Sequence, residues 1–183
     1  MDKNFETHKA KLLLQEGNIW MIDFRREDGS RHYWVRFFID TESSEVHISG
    51  DLGYCISRWG NSNSIQNISE MMLNTNYWMG KFMCSSNSYT WDEKKAEKEL
   101  CDDTNDYYEE CSDHDEYYDM IEEIMNTFDY STGITLCTTE AQRCWYELGL
   151  EESSPMYYGR KIHPRVKLWA EAFDLALQQL GLK

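Results

Sequence analysis

Carboxylate side chains crowd one stretch of the chain. Between Glu99 and Asp129 there are 13 aspartates and glutamates and no lysine or arginine. At the helical rise of about 1.5 Å per residue, this is roughly one negative charge every 3.6 Å, about half the charge density of double-stranded DNA. The pattern predicts phosphate mimicry, in which the acids occupy a nucleic-acid channel lined by Lys and Arg. A solubilising surface would also account for them.

The candidate partner-binding residues are the acids of this stretch and two tyrosines. Tyr107-Tyr108 and Tyr117-Tyr118 are adjacent pairs, so one member of each is expected to face outward as a rigid contact anchor. Core packing would account for the other member of each pair, or for both. The predicted set is Asp102, Asp103, Asp106, Tyr108, Glu109, Glu110, Asp113, Asp115, Glu116, Tyr117, Asp119, Glu122 and Glu123.

Like charges recur among these acids at the i,i+4 spacing of a helix. The pairs are Asp102/Asp106, Asp106/Glu110, Glu109/Asp113, Asp115/Asp119 and Asp119/Glu123. Each costs a few tenths of a kcal/mol, about 1–2 kcal/mol together. A helix face that is merely solvated normally includes lysines among its acids and so avoids this repulsion. The repulsion therefore indicates that the acids have a function.

Metal binding is a second chemistry for the same residues. Positions 1, 3, 5, 9 and 12 of a calcium-loop register fall on Asp102, Thr104, Asp106, Glu110 and Asp113. The register is incomplete, because a tyrosine stands where the turn requires Gly and position 12 is Asp rather than Glu. Zinc ligands are conceivable in Cys101, Cys111 and His114, but no second pair completes a site. We therefore predict no metal and no cofactor.

Catalytic signatures are also missing from the sequence. It contains no nucleophile elbow, P-loop or GxGxxG motif. The histidines have no Ser or Cys beside them in a family signature; they are His8, His32, His47, His114 and His163. We predict that the protein is not an enzyme, and a metal-dependent enzyme built on the carboxylates is the third hypothesis.

An amphipathic helix over about 105–128 is predicted to carry the acids. Apolar residues recur along one face of this stretch, at separations of 7, 4, 7, 3, 4 and 3. They are Leu100, Tyr107, Cys111, Tyr118, Ile121, Met125 and Phe128. This stripe is expected to dock the acidic segment, 92–129, on the rest of the protein.

The chain before the acidic segment is typical of a sheet. Residues 19–26 and 31–40 are rich in β-formers and are joined through Asp28-Gly29, a hairpin signal. Val46 and Ile48 alternate with polar residues, and a Gly50–Gly53 turn leads into a further strand. The sequence predicts a four-stranded antiparallel meander over about 18–59.

Helices are predicted to cover this sheet. They span residues 4–15, a stretch beginning near Ile65, a segment from a Thr139/Gln142 capping box to Gly149, and about 164–180 at the C-terminus. The fold class is α+β, and residues 1–183 are expected to form a single domain.

Composition limits the possible partners. The 183 residues carry a net charge of −15, and 41% are apolar, which is too many for a disordered acidic tail. Asp92 to Asp129 holds 16 acids and three lysines, so this segment accounts for −13 of the charge. Phosphate backbones and anionic lipids would be repelled, so we predict no direct nucleic-acid binding, no membrane binding and a basic protein partner. No signal peptide or membrane span is evident, and six scattered cysteines indicate free cytosolic thiols.

Four short motifs follow one another in the first half of the chain. They are Tyr33-Trp34-Val35-Arg36-Phe37, His47-Ile48-Ser49-Gly50-Asp51-Leu52-Gly53, Arg58-Trp59 and Asn76-Tyr77-Trp78-Met79-Gly80-Lys81-Phe82. Together they resemble a group of uncharacterised tailed-phage and prophage proteins, over about residues 30–82. The resemblance implies a phage or mobile-element origin, and small acidic proteins of that source resemble, as a class, anti-CRISPR and anti-restriction proteins.

These observations predict an inhibitor that acts in the host cytoplasm. Its acidic helix would occupy the nucleic-acid channel of a host CRISPR or restriction nuclease, without chemistry. The alternative is a phage accessory or structural interaction protein whose acidic face only provides solubility.

Overall fold

Two compact units make up the chain in the computed structural model, which describes residues 3–61 and 63–183. One, the sheet unit, consists of the residues up to Ser88 together with His163–Lys183; the other, the acidic unit, is Tyr89–Ile162. The acidic unit holds 20 acidic and 6 basic residues, a net charge of −14, and the sheet unit holds 13 and 12, a net charge of −1. The single-domain organisation expected from the sequence stays a prediction.

The sheet unit is built on an antiparallel sheet whose strands are neighbours in chain order. The strands are β1 (His8–Glu16), β2 (Ile19–Arg26), β3 (Val35–Asp40), β4 (Glu45–Gly50), β5 (Cys55–Arg58) and β6 (Phe82–Ser85). The antiparallel meander and the α+β class predicted from the sequence are confirmed. The strand number was wrong: this sheet has six strands in the described part of the chain, not four.

The first added strand replaces a predicted helix over residues 4–15. Gly17, at φ +55°, and Asn18 form a two-residue connection that folds β1 back onto β2, with Glu16 opposite Ile19. The ladder to β2 supplies β1 with backbone hydrogen bonds, and this outweighs the weak helical periodicity of the segment. The other added strand, β6, pairs with β5 after an intervening helical stretch.

The C-terminal helix α7 (Pro164–Gln179) packs on one face of the sheet, and α1 (Ile65–Leu73) and α2 (Thr75–Met79) pack against α7. On this face Phe37 lies opposite both Ile22 and Ile48, and its ring is 4.9 Å from that of Phe173 on α7. The predicted C-terminal helix over about 164–180 is therefore confirmed to within one residue. The other sheet face carries charged residues of β2 and β3.

The acidic unit contains four helices among its residues: α3 (Glu93–Asp103), α4 (Asn105–Glu110), α5 (His114–Met125) and α6 (Thr139–Glu147). Two short antiparallel ladders complete it, β7 (Tyr89–Trp91) with β10 (Arg160–Ile162), and β8 (Phe128–Asp129) with β9 (Gly133–Ile134). Side chains of α3, α5 and α6 form its core, in which Leu100, Ile124 and Trp145 are buried. The cap of α6 is Thr138, which accepts from the Ala141 N–H at 3.0 Å, so the Thr139 capping box predicted from the sequence was wrong by one residue.

The continuous acidic helix predicted over 105–128 was wrong. The chain leaves the helix after Glu110 and re-enters it at His114, because Asp113 caps α5 and accepts from the N–H groups of Asp115 and Glu116. An aspartate that bonds the following backbone in this way competes with helix continuation. The apolar stripe of the segment therefore changes phase at residues 111–113.

No helix in residues 3–61 and 63–183 combines the length and the apolar character needed to cross a bilayer.

Candidate partner-binding surface

The carboxylates predicted to bind a partner lie on the exterior of the acidic unit. We call the eleven of them the acidic surface; they are Asp102, Asp103, Asp106, Glu109, Glu110, Asp113, Asp115, Glu116, Asp119, Glu122 and Glu123. All are exposed except Glu123, which is half-buried and accepts from the Thr138 hydroxyl at 3.2 Å. They follow one another along the end of α3, α4, the cap of α5 and α5 itself.

Few cations accompany these acids. In the described part of the chain, the ion pair of the acidic surface is the one from Lys98 Nζ to Asp102 Oδ2, at 2.7 Å within α3. No lysine or arginine is described within 4.0 Å of the other ten carboxylates. Their field is therefore directed to solvent rather than neutralised inside the protein.

The break between α4 and α5 changes how the acids repel one another. Of the five like-charge i,i+4 pairs expected from the sequence, Asp106/Glu110 lies within α4, and Asp115/Asp119 and Asp119/Glu123 lie within α5. The other two span helix boundaries. In α5, Asp115 and Glu116 lie at the favourable N-terminal end of the helix dipole, whereas the last turn holds acids and no base.

The two tyrosine pairs divide differently from the prediction. Tyr117 is only 2% exposed and its hydroxyl is 2.9 Å from that of Thr104, so it is a core residue and not a contact anchor. Burial raises its pKa. Tyr118 is 55% exposed, although the predicted apolar stripe placed it inside. The phase change at residues 111–113 exchanges the two positions.

Tyr108 is half-buried and forms part of an aromatic group with exposed neighbours. Its ring stacks on that of His114, with centroids 4.2 Å apart, and meets the ring of Tyr118 edge-on at 6.0 Å. Rings held in this way present a stiff apolar surface among the carboxylates. Such a combination suits the aliphatic stem and the charged end of a Lys or Arg side chain.

A cavity of about 490 Å³, which we call the acidic cavity, adjoins the acidic surface within the same unit. It is lined by Glu99, Asp102, Asp103, Glu152, Ser153, Ser154, Tyr157 and Tyr158. The Tyr158 hydroxyl donates to Asp103 Oδ2 at 2.8 Å, and the Gly159 N–H donates to Glu99 Oε2 at 2.8 Å. Burial and the neighbouring Asp103 carboxylate raise the pKa of Tyr158 to about 12. Of its four carboxylates, Glu99 is paired with Lys95 at 3.2 Å and Asp102 with Lys98 at 2.7 Å, whereas Asp103 and Glu152 have no described lysine or arginine partner.

Sequence reasoning missed the far wall of this cavity. Glu152 and Tyr157 lie some 50 residues beyond the acids they face, and they follow α6 in a loop and a short 3₁₀ turn, Pro155–Tyr157. A local signal was present, because Glu151-Glu152 and Tyr157-Tyr158 repeat the acid and tyrosine pairs of the acidic segment. Only the fold shows that the two stretches meet.

The metal registers weighed from the sequence do not converge. Asp102 belongs to α3, and Asp106 and Glu110 belong to α4, so they do not form a single loop around a cation. Within the described residues, no three His, Cys, Asp or Glu side chains are grouped so as to hold a metal ion.

No protein-family model matches the chain, and no curated protein or solved structure matches it significantly.

Proposed function

We propose that this protein is a phage- or mobile-element-encoded inhibitor of a host nucleic-acid-handling defence enzyme, of the anti-CRISPR or anti-restriction class. It acts in the host cytoplasm by placing its acidic unit in the Lys/Arg-lined channel that otherwise holds DNA or RNA. The observation that carries the proposal is the concentration of −14 of the net charge of −15 in one folded unit.

The arrangement of charge supports mimicry over simple solubility. Ten of the eleven acids of the acidic surface have no described lysine or arginine partner. Glu122 and Glu123 lie in the last turn of α5, where the helix dipole disfavours negative charge. A surface that only needs solubility gains nothing from this unfavourable placement, whereas a surface that replaces phosphates needs uninterrupted negative charge.

The acidic cavity gives the interaction a defined contact. A partner arginine entering it would meet the carboxylates of Asp103 and Glu152 while its aliphatic stem lies along Tyr157. Bidentate pairing of guanidinium with carboxylate is both strong and geometrically specific. Long-range attraction by the acidic surface would speed the encounter, and the cavity would orient the complex.

The mechanism needs no bond-making step. A nuclease whose channel is occupied cannot bind its substrate, so inhibition is competitive with DNA or RNA. Because both contacts are ionic, the affinity is expected to fall steeply with salt.

Displacement of labelled DNA tests the proposal. The probes are purified guide-loaded CRISPR effector nucleases and restriction endonucleases, each holding a fluorescent DNA target, titrated with the protein at 50, 150 and 300 mM NaCl. We expect the protein to displace DNA from at least one of these enzymes, and to do so less effectively as salt rises.

A variant in which four acids are replaced by neutral amides tests the role of the acidic surface. In the quadruple variant D106N/E109Q/E110Q/D113N, the amide oxygen introduced at position 113 can still cap α5. The amide oxygen at position 109 can still accept from Asn105, as the Glu109 carboxylate does at 3.0 Å. At about 1 kcal/mol for each lost contact, the concentration of protein that displaces half of the DNA should rise about 100-fold or more.

The matched control removes four exposed acids from the sheet unit, as E6Q/E16Q/E42Q/E70Q. This variant should displace DNA as well as the wild type does. If the D106N/E109Q/E110Q/D113N variant is equally active, or if no enzyme in the panel is displaced, mimicry is wrong. The result would then favour an accessory interaction protein with a solubilising acidic face.

A further inference from the structure

The sheet unit concentrates positive charge at one corner. Although its net charge is −1, half of its 12 basic residues lie on or beside β1, β2 and β3. They are Lys9, Lys11, Arg25, Arg26, Arg31 and Arg36. The cluster has the opposite sign to the acidic surface and shares no residue with it.

Strand register places four of these side chains, those of Lys9, Lys11, Arg25 and Arg36, on the same sheet face as Asp23. Asp23 on β2 lies opposite Lys11 on β1 and opposite Arg36 on β3. Lys9 lies opposite Arg25 in the next row. Residues that are opposite each other in neighbouring strands project from the same face, so these four cations lie around Asp23.

Asp23 is 4% exposed and holds two guanidinium groups in place. Arg36 donates from Nε to Oδ1 at 3.1 Å and its Nη2 lies 3.0 Å from the same oxygen, and Arg25 donates from Nε to Oδ2. Trp34 donates its indole N–H to Oδ1 at 2.8 Å. Burial alone would raise the pKa of Asp23, but these donors outweigh it and hold the pKa below its usual range. The carboxylate therefore acts as an anionic anchor at the base of the cluster.

Trp34 further stiffens the arginines. The guanidinium carbons of Arg25, Arg31 and Arg36 lie 5.4, 5.8 and 5.4 Å from its ring centroid. Guanidinium groups fixed by an aromatic ring and a buried carboxylate lose little entropy when they bind a further anion. Arg36 uses only its Nε/Nη2 edge for Asp23, so its other edge is not engaged by that carboxylate.

All the cations of the cluster except Arg31 line a cavity of about 500 Å³, which we call the basic cavity. Its lining holds five basic and two acidic residues, a net charge of +3; they are Lys9, Lys11, Arg25, Arg26 and Arg36 with Asp23 and Glu27, and Leu13 and Gly29 complete the wall. One ion pair, from Lys9 Nζ to Glu27 Oε1 at 3.4 Å, lies at the rim. Most of the positive charge therefore remains for a bound anion.

We propose that this cavity binds a small phosphate-bearing ligand, of the size and charge of pyrophosphate or a nucleoside polyphosphate. Fixed guanidinium edges match phosphoryl oxygens, and a +3 lining matches a polyphosphate better than a single carboxylate. At physiological ionic strength, charges more than about 8 Å away are screened, so a small ligand responds chiefly to the charges of this lining. A long nucleic acid would extend into the field of a protein of net charge −15. The site goes beyond the inhibitory function proposed above and does not depend on it.

Isothermal titration calorimetry of the full-length protein tests this site. The probes are pyrophosphate, ATP without magnesium, citrate and a ten-residue oligothymidylate, each at 150 mM NaCl. We expect pyrophosphate and ATP to bind with 1:1 stoichiometry and more tightly than citrate. Lack of binding by pyrophosphate and ATP, or equal binding by citrate, would overturn the phosphate assignment. Tighter binding by the oligothymidylate would overturn the small-ligand assignment in favour of nucleic acid.

A pair of lysine variants locates the binding. Lys11 is exposed, lines the cavity and makes no described contact with Asp23, so Lys11→Gln leaves the anchored arginines intact. It should weaken pyrophosphate binding about fivefold or more, since one unit charge close to the ligand is lost. The matched control is Lys167→Gln, an equal charge change at an exposed position of α7, which should bind as the wild type does. Equal weakening in both variants would show a general charge effect and contradict the site.

Discussion

Replacing Asp119 by asparagine is expected to stabilise the acidic unit. Asp119 is exposed near the middle of α5, and each residue three or four positions away on its charged side is also an acid: Asp115, Glu116, Glu122 and Glu123. Like-charge neighbours at these spacings each cost about 0.2–0.5 kcal/mol. Removing one charge therefore relieves four repulsions, and the free energy of unfolding should rise by about 1–2 kcal/mol at low salt.

Urea unfolding at 20 mM and 1 M NaCl, followed by far-UV circular dichroism, measures this gain. The Debye length is about 3 Å at 1 M salt, shorter than the roughly 5–6 Å between neighbouring side chains on a helix. The gain should therefore largely disappear at 1 M NaCl. Asparagine and aspartate have similar helix propensities, so the substitution mainly reports charge.

Glu70→Gln is the matched control for this experiment. Glu70 is an exposed acid within α1, and no charged residue lies three or four positions from it. Its neutralisation should change the free energy of unfolding by less than about 0.5 kcal/mol at either salt concentration. If Asp119→Asn gives no gain at low salt, or the same gain at both salt concentrations, the acids of α5 do not repel one another as argued. The energetic argument for a functional acidic surface would then fail.

Three further substitutions test the folded geometry. Gly50→Ala should cost about 3 kcal/mol in urea unfolding, because Gly50 has φ +141° and an added Cβ would lie 2.2 Å from a backbone carbonyl oxygen; a loss below about 1 kcal/mol would contradict this turn. Tyr117→Phe should lower the free energy of unfolding by about 1 kcal/mol, because the hydrogen bond to Thr104 is lost. A larger loss for Tyr118→Phe would show that Tyr118, and not Tyr117, is the buried tyrosine. Because folding lowers the pKa of Asp23, its carboxylate stabilises the folded protein above about pH 4, and this stabilisation is lost as the pH falls through the folded pKa. Asp23→Asn should therefore have a lower free energy of unfolding than the wild type at pH 7, with a difference that shrinks towards pH 3. A difference independent of pH would refute the charged anchor.

The sequence predicted the central sheet and the C-terminal helix because their signals are local. Alternation in β3 and β4 and the apolar stripe of α7 reflect burial against one neighbouring layer. β1 was missed because an exposed edge strand has little alternation to show, with Leu12, Leu13 and Leu14 all partly exposed. Its turn, Gly17-Asn18, was the better signal.

The candidate site was predicted in composition but not in shape. Counting charges located the acidic surface, whereas periodicity alone could not reveal that Asp113 ends one helical register and starts another. The acidic cavity forms where Tyr158 donates to Asp103. The basic cavity forms because β1 pairs with β2 and places Lys11 opposite Asp23. Both depend on tertiary pairing between residues that are distant in sequence, which local patterns do not encode.

The chain leaves the sheet unit after Ser88 and returns to it at His163, and these two residues are neighbours in space. Tyr89 pairs with Ile162 in the β7–β10 ladder, and the Ser88 carbonyl accepts from the His163 N–H at 2.8 Å. While the 74 residues between these points are folded, they hold Ser88 and His163 together as a short turn would. If they unfold, α7 is tethered by a long flexible loop, and closing such a loop costs about 4 kcal/mol of chain entropy. Loss of order in the acidic unit would therefore loosen the attachment of α7 to its sheet, without any residue of the sheet unit being changed.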